Sequence, residues 1–142
     1  MLFKLNKKRH FQWVNDTKSF SEKKDAMVWR GGAYKALRRD FVEKYYNHSR
    51  CEVGQTNHPA ENVPWQKNFM SIADQLAYKF IFCPGGNDVA TNLKWAMSSN
   101  SLCFMPKPRY ETWFMEGILK PGVHYVELAS DYSDLEAKIE YY

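Results

Sequence analysis

The chain has 142 residues with 44% hydrophobic content, the size of one globular domain around a single core, and no stretch approaches the roughly 20 apolar residues of a membrane-spanning helix. Its formal charge of +4 is uneven: Lys4, Lys7, Lys8, Arg9, Lys18, Lys23 and Lys24 crowd the first 24 residues, a pattern that suits a phosphate-rich partner and equally a solvated face. The early lysines leave no room for the apolar core of a signal peptide, and three scattered cysteines without CxxC spacing suit reduced, packed thiols, so the expectation is a soluble cytosolic protein.

Residues 1–25 read as a basic, irregular lead-in. Ala26-Met27-Val28-Trp29 is a short apolar run that stops at Arg30-Gly31-Gly32, as a buried parallel strand does on entering a loop. Tyr34, Leu37, Phe41, Val42 and Tyr45 then recur at helical spacing. Cys51-Glu52-Val53 is a weaker strand candidate, and the polar, proline-bearing stretch after it is a loop.

A short helix is expected near residues 71–77, followed by a buried strand over residues 78–83 that ends at Pro84-Gly85-Gly86. Asn87 or Asp88 would cap the next helix, which buries Val89, Leu93, Ala96 and Met97 and ends near residue 100. A strand over residues 101–105 follows. Helical spacing of Tyr110, Trp113, Phe114 and Ile118 predicts a helix over residues 110–119, and residues 124–128 a further strand that contains His124. Ser133 with Glu136 has capping-box spacing for a last helix. Alternation of this kind predicts an α/β, Rossmann-like open parallel sheet over residues 26–142.

Ligands of such a sheet bind beyond the carboxyl ends of the strands, which directs attention to the loops after Trp29, Cys83, Met105 and Leu128. In Gly85-Gly86-Asn87-Asp88 the absent Cβ atoms would let backbone N–H groups approach a phosphate at a helix start, with Thr91 and Asn92 adding side-chain hydrogen bonds. The same loop also fits a plain strand-to-helix turn. Arg30, Gly31 and Gly32, backed by Arg38 and Arg39, offer guanidinium forks for a diphosphate. The four histidines are dispersed and have no i,i+4 metal spacing.

Several motifs fall in a specific order: Trp29-Arg30-Gly31-Gly32 with Arg38 or Arg39, Asp74-Gln75-Leu76-Ala77-Tyr78-Lys79-Phe80, and Gly86-Asn87-Asp88-Val89-Ala90-Thr91-Asn92-Leu93-Lys94-Trp95. Ser99-Asn100-Ser101-Leu102, Tyr110-Glu111-Thr112-Trp113-Phe114, Leu119-Lys120-Pro121-Gly122-Val123-His124-Tyr125-Val126 and Ser133-Asp134-Leu135 continue it. The series resembles glycosyltransferase family 90, the CAP10-like proteins and bacterial lipopolysaccharide-core transferases, from about residue 3 to residue 142.

That resemblance implies a metal-independent, inverting transferase of the two-domain GT-B kind, with this chain similar to the C-terminal half that holds a UDP-sugar. It implies that Arg38 or Arg39 grips the diphosphate, that the backbone of Gly86, Asn87, Asp88, Val89 and Ala90 cradles it, and that Met70, Ser71 and Ile72 approach the base. Eukaryotic relatives carry an arginine where Asn92 stands, so either Arg30 or Lys94 compensates or donor preference differs. The catalytic aspartate would belong to an N-terminal half to which residues 1–25 lead. Implied partners are a UDP-sugar, a lipopolysaccharide-core or other glycan acceptor, and the inner face of the cytoplasmic membrane, with no nucleic acid. A truncated, inactive remnant is one alternative. A nucleic-acid module, with basic residues interleaved with Trp13, Trp29, Tyr45 and Tyr46, is the other.

Overall fold

The computed structural model describes residues 12–57, 62–86 and 89–142. Five strands form one all-parallel sheet: β1 (Lys24–Gly31), β2 (Cys51–Gln55), β3 (Tyr78–Phe82), β4 (Leu102–Pro106) and β5 (Val126–Leu128), in the order β2-β1-β3-β4-β5. The helices are α1 (Ala36–Tyr45), α2 (Ile72–Gln75), α3 (Leu93–Met97) and α4 (Leu135–Tyr141). This is the Rossmann-like α/β arrangement that the alternation predicts.

Strand side chains alternate between the faces, and each face is apolar because each is covered. Met27, Trp29, Phe80, Phe82 and Phe104 pack against Phe41, Val42 and Tyr45 of α1 and Leu135 and Ile139 of α4. Val28, Ile81, Cys83, Cys103 and Met105 pack on the other face against Leu93, Trp95 and Ala96 of α3. Phe41 stacks on Phe82 with centroids 3.6 Å apart, fixing α1 across the centre of the sheet. All three cysteines are free and buried, and burial pushes the Cys51 thiol up to about 12, as reduced core thiols require.

Several local expectations are corrected. β1 starts two residues early and runs through Arg30 and Gly31, because β2 supplies partners as far as Gly54 and Gln55. Tyr34 is exposed ahead of α1 and takes no part in its stripe. Asn87 and Asp88 lie outside the described residues. The helix expected to start there begins instead at Leu93, with Asn92 at its N-cap, and has five residues.

No helix covers residues 110–119: Met115 is left-handed at φ 58°, and only a 3-10 turn at Glu116–Ile118 forms. The buried Glu116 carboxylate draws in the Thr112 amide at 2.7 Å and the Thr112 hydroxyl at 2.8 Å, which organises the segment as a knot of turns. His124 is exposed in a turn before β5, with Nδ1 accepting from the Lys120 amide at 2.9 Å. Ser133 spends its hydroxyl on Asp131, so Asp134 precedes α4 and the predicted capping box is absent. A capping box occurs instead at Ser19 and Glu22 in the lead-in. That stretch packs on the domain: Lys23 donates to Asp16 at 2.6 Å and to the Leu76 carbonyl, and the Asn100 amide donates to Asp16 at 2.9 Å.

No helix among the described residues is long and apolar enough to cross a membrane.

Candidate functional site

The chain runs from β1 outward to β2 and then returns past β1 to β3, so the connections diverge between β1 and β3. Their carboxyl ends carry Gly31-Gly32 and Pro84-Gly85-Gly86, and this is where an open parallel sheet leaves a crevice. Arg38, in the first turn of α1, closes that gap. Its Nε donates to the Gly85 carbonyl at 3.0 Å, Nη1 to the Gly32 carbonyl at 3.1 Å and Nη2 to the Pro84 carbonyl at 3.4 Å. One guanidinium thus holds both glycine loops. The approach is tight: a Cβ on Gly86 would lie 2.8 Å from Arg38 Nη2, and one on Gly31 would lie 2.8 Å from the Trp29 ring.

Beside this junction is a cleft of about 290 Å³. Gly85, Gly86, Val89 and Ala90 line it from the loop after β3, and Lys107, Arg109 and Tyr110 from the loop after β4. Lys35 and Leu37 contribute from the start of α1, and Tyr132 from the loop after β5. Cys83, Leu93 and Met105 give it an apolar part. Tyr132 is held in a left-handed conformation at φ 60°. Its hydroxyl donates to the Leu37 carbonyl at 3.1 Å, its own carbonyl accepts from the Tyr45 hydroxyl, and its ring meets Phe41 and Phe82 edge-on. Burial pushes the Tyr132 phenol up to about 12, so at neutral pH it remains a hydrogen-bond donor.

The remaining residues expected at the site are dispersed around it. Arg39 is exposed and donates to the Tyr34 carbonyl at 3.2 Å. Arg30, its side chain 5% exposed, pairs with Glu52, which Lys67 also meets at 3.1 Å. Arg30 belongs to a second, shallower cleft with Met70, Phe69 and Asp74. Ser71 caps α2, accepting from the Asp74 amide at 3.1 Å, and Ile72 packs on the core. Thr91 lies in the turn before α3.

Lys94 lies 3.7 Å from the Glu116 carboxylate and over the rings of Trp113 and Phe114. Neither Arg30 nor Lys94 lines the first cleft. At the position where an arginine is expected in eukaryotic relatives, Asn92 donates from Nδ2 to the Phe82 carbonyl at 2.9 Å, tying the start of α3 to the end of β3.

The sequence pattern of glycosyl transferase family 90 matches residues 5–142. The chain belongs to glycosyl transferase family 90. O-glucosyltransferase LpsA of Dichelobacter nodosus is 49% identical over 142 residues, a match that covers 100% of this chain and 45% of that relative. The chain therefore spans less than half the length of the curated relative it matches.

In this family 90 chain the cleft residues that sequence reasoning does not reach include Lys35, Lys107, Arg109, Tyr110, Glu116 and Tyr132. The loop after Met105 is among the four that the switch-point rule singles out, and Lys107-Pro108-Arg109 in it is the available signal, masked by the helical spacing that starts at Tyr110. Trp29 and Tyr45, suggested as part of a base-stacking surface, are buried in the core.

Proposed function

We propose that this chain is the donor-binding part of an inverting GT-B glycosyltransferase that takes a UDP-sugar and acts in lipopolysaccharide-core or surface glycan synthesis. The observation that carries the reading is the Arg38 fork, which unites the glycine loops after β1 and β3 beside one cleft. Family membership and the similarity to an O-glucosyltransferase support sugar transfer as the reaction class.

In this reading the diphosphate lies along the loop after β3, in the cleft that Gly85, Gly86, Val89 and Ala90 line. Fixed positive charge and oriented backbone groups stabilise the negative charge that develops on UDP as the glycosidic bond breaks, and they do so without reorganising during the step. The acceptor hydroxyl loses its proton to a base outside these 142 residues. The protein works in the cytoplasm, against the inner face of the membrane that holds the acceptor.

Titration calorimetry with UDP tests the reading. Saturable binding that a UDP-hexose competes away is the expected outcome. Absence of heat at millimolar UDP, with a salt-dependent shift of single-stranded oligonucleotides, would transfer the assignment to a nucleic-acid module.

A further inference from the structure

A diphosphate in the cleft needs positive charge, and three observations bear on its source. The helix after the Gly85–Gly86 loop has five residues and starts at Leu93, so its dipole supplies little at the glycines. Arg38 directs Nε, Nη1 and Nη2 at three carbonyls, which is the geometry of a clamp on the loops. Lys35, Lys107 and Arg109, in contrast, line the cleft itself, and Glu116 is the one carboxylate in that lining among the described residues. The Glu116 charge is met by the Thr112 amide and hydroxyl and by Lys94.

The start of α1 adds a second line of argument. Lys35 is its N-cap, Arg38 and Arg39 follow in the first turn, and no acidic residue stands there. Cations at the positive pole of a ten-residue helix repel it, and an anion bound beside Lys35 reverses the sign of that interaction.

We propose that Lys107 and Arg109, together with Lys35, meet the negative charge of a nucleoside diphosphate in this cleft, while Arg38 is a positioning residue that holds the two glycine loops around it. This rests on the donor-binding reading above and names the groups that carry it. Arg109 offers a planar fork for two phosphate oxygens, and Lys107 and Lys35 act as point charges.

The test compares UDP, uridine and inorganic pyrophosphate by calorimetry at low and physiological salt, on the whole chain. In Lys107→Ala/Arg109→Ala, UDP and pyrophosphate affinities should fall at least tenfold and lose much of their salt dependence, with uridine affinity and melting temperature unchanged. Lys18→Ala, an exposed cation in the lead-in ahead of β1 and outside the cleft lining, should change none of them. Arg38→Lys keeps the charge and loses the fork, so it should lower uridine and UDP affinity together. UDP affinity within twofold of wild type in the double variant would overturn the proposal. Wild-type binding of pyrophosphate without UDP would retain the cation assignment and sink the nucleotide reading, and binding of neither would sink both.

Discussion

Gly86 and Arg38 are matched by absence: a Cβ at residue 86 would stand 2.8 Å from Nη2 of the guanidinium that spans the Gly32 and Gly85 carbonyls. Gly86→Ala therefore displaces Arg38 and weakens up to three hydrogen bonds. The expected cost is about 1–2 kcal/mol, a drop of several degrees in melting temperature. Because both changes break the same clamp, Gly86→Ala added to Arg38→Ala should cost little more than Arg38→Ala alone. Additive losses in denaturant titrations would show that the two residues act separately.

Tyr132 combines an unfavourable backbone conformation with packing that over-determines it. Tyr132→Phe keeps the ring and loses the bond to the Leu37 carbonyl, for about 1 kcal/mol. Tyr132→Gly relieves φ 60° and still loses about 3 kcal/mol or more, since it removes a ring packed between α1 and β3. Urea midpoints in the reverse order would refute this account.

Glu116 is 1% exposed and Lys94 is 10% exposed. Glu116→Ala strips the Thr112 amide and hydroxyl of their acceptor and leaves the Lys94 ammonium buried without its counter-charge, an expected loss of about 3–5 kcal/mol. Glu116→Gln keeps an acceptor for Thr112 and should lose less. Equal destabilisation by both in chemical denaturation would remove the ionic contribution from the explanation.

Acid should destabilise the chain through Asp16. Burial alone would raise its carboxyl, but the hydrogen bond and charge of Lys23 and the Asn100 amide outweigh burial and hold it below the usual carboxylate range. Asp134 and Glu52 are held low in the same sense, against burial, by Lys138 and by Arg30 with Lys67. A depressed folded pKa means stability that is fully present above the unfolded value of about 4 and is lost as pH falls through the folded one. Urea midpoints should be flat from pH 7 to about 5 and fall steeply below about 4. Asp16→Asn should be less stable at neutral pH, because Lys23 loses its carboxylate, and should show a shallower acid slope.

Legibility in the sequence followed the range of the forces involved. Met27-Val28-Trp29 and Phe80-Ile81-Phe82 are apolar on both faces, a signature that survives without tertiary context because burial of consecutive side chains is required of any central parallel strand. The stripe of Phe41, Val42 and Tyr45 was equally plain. Residues 110–119 depart from the expected helix although their helical spacing is real, because a single buried carboxylate at Glu116 and a left-handed Met115 outweigh it. Local propensity is worth tenths of a kcal/mol per residue, and one satisfied buried charge exceeds the sum over such a short segment.

By itself, the sequence determined the parallel α/β sheet, its two glycine-bearing strand ends and the family, since those depend on runs of residue type along the chain. Which cations share a cleft was decided by tertiary structure alone. Lys35, Lys107 and Arg109 come from two separate loops, and Arg30, though next to Gly31 in the chain, turns away to Glu52. Side-chain direction at a strand end is set by pleat and by neighbouring strands, and no spacing rule along one chain carries that information.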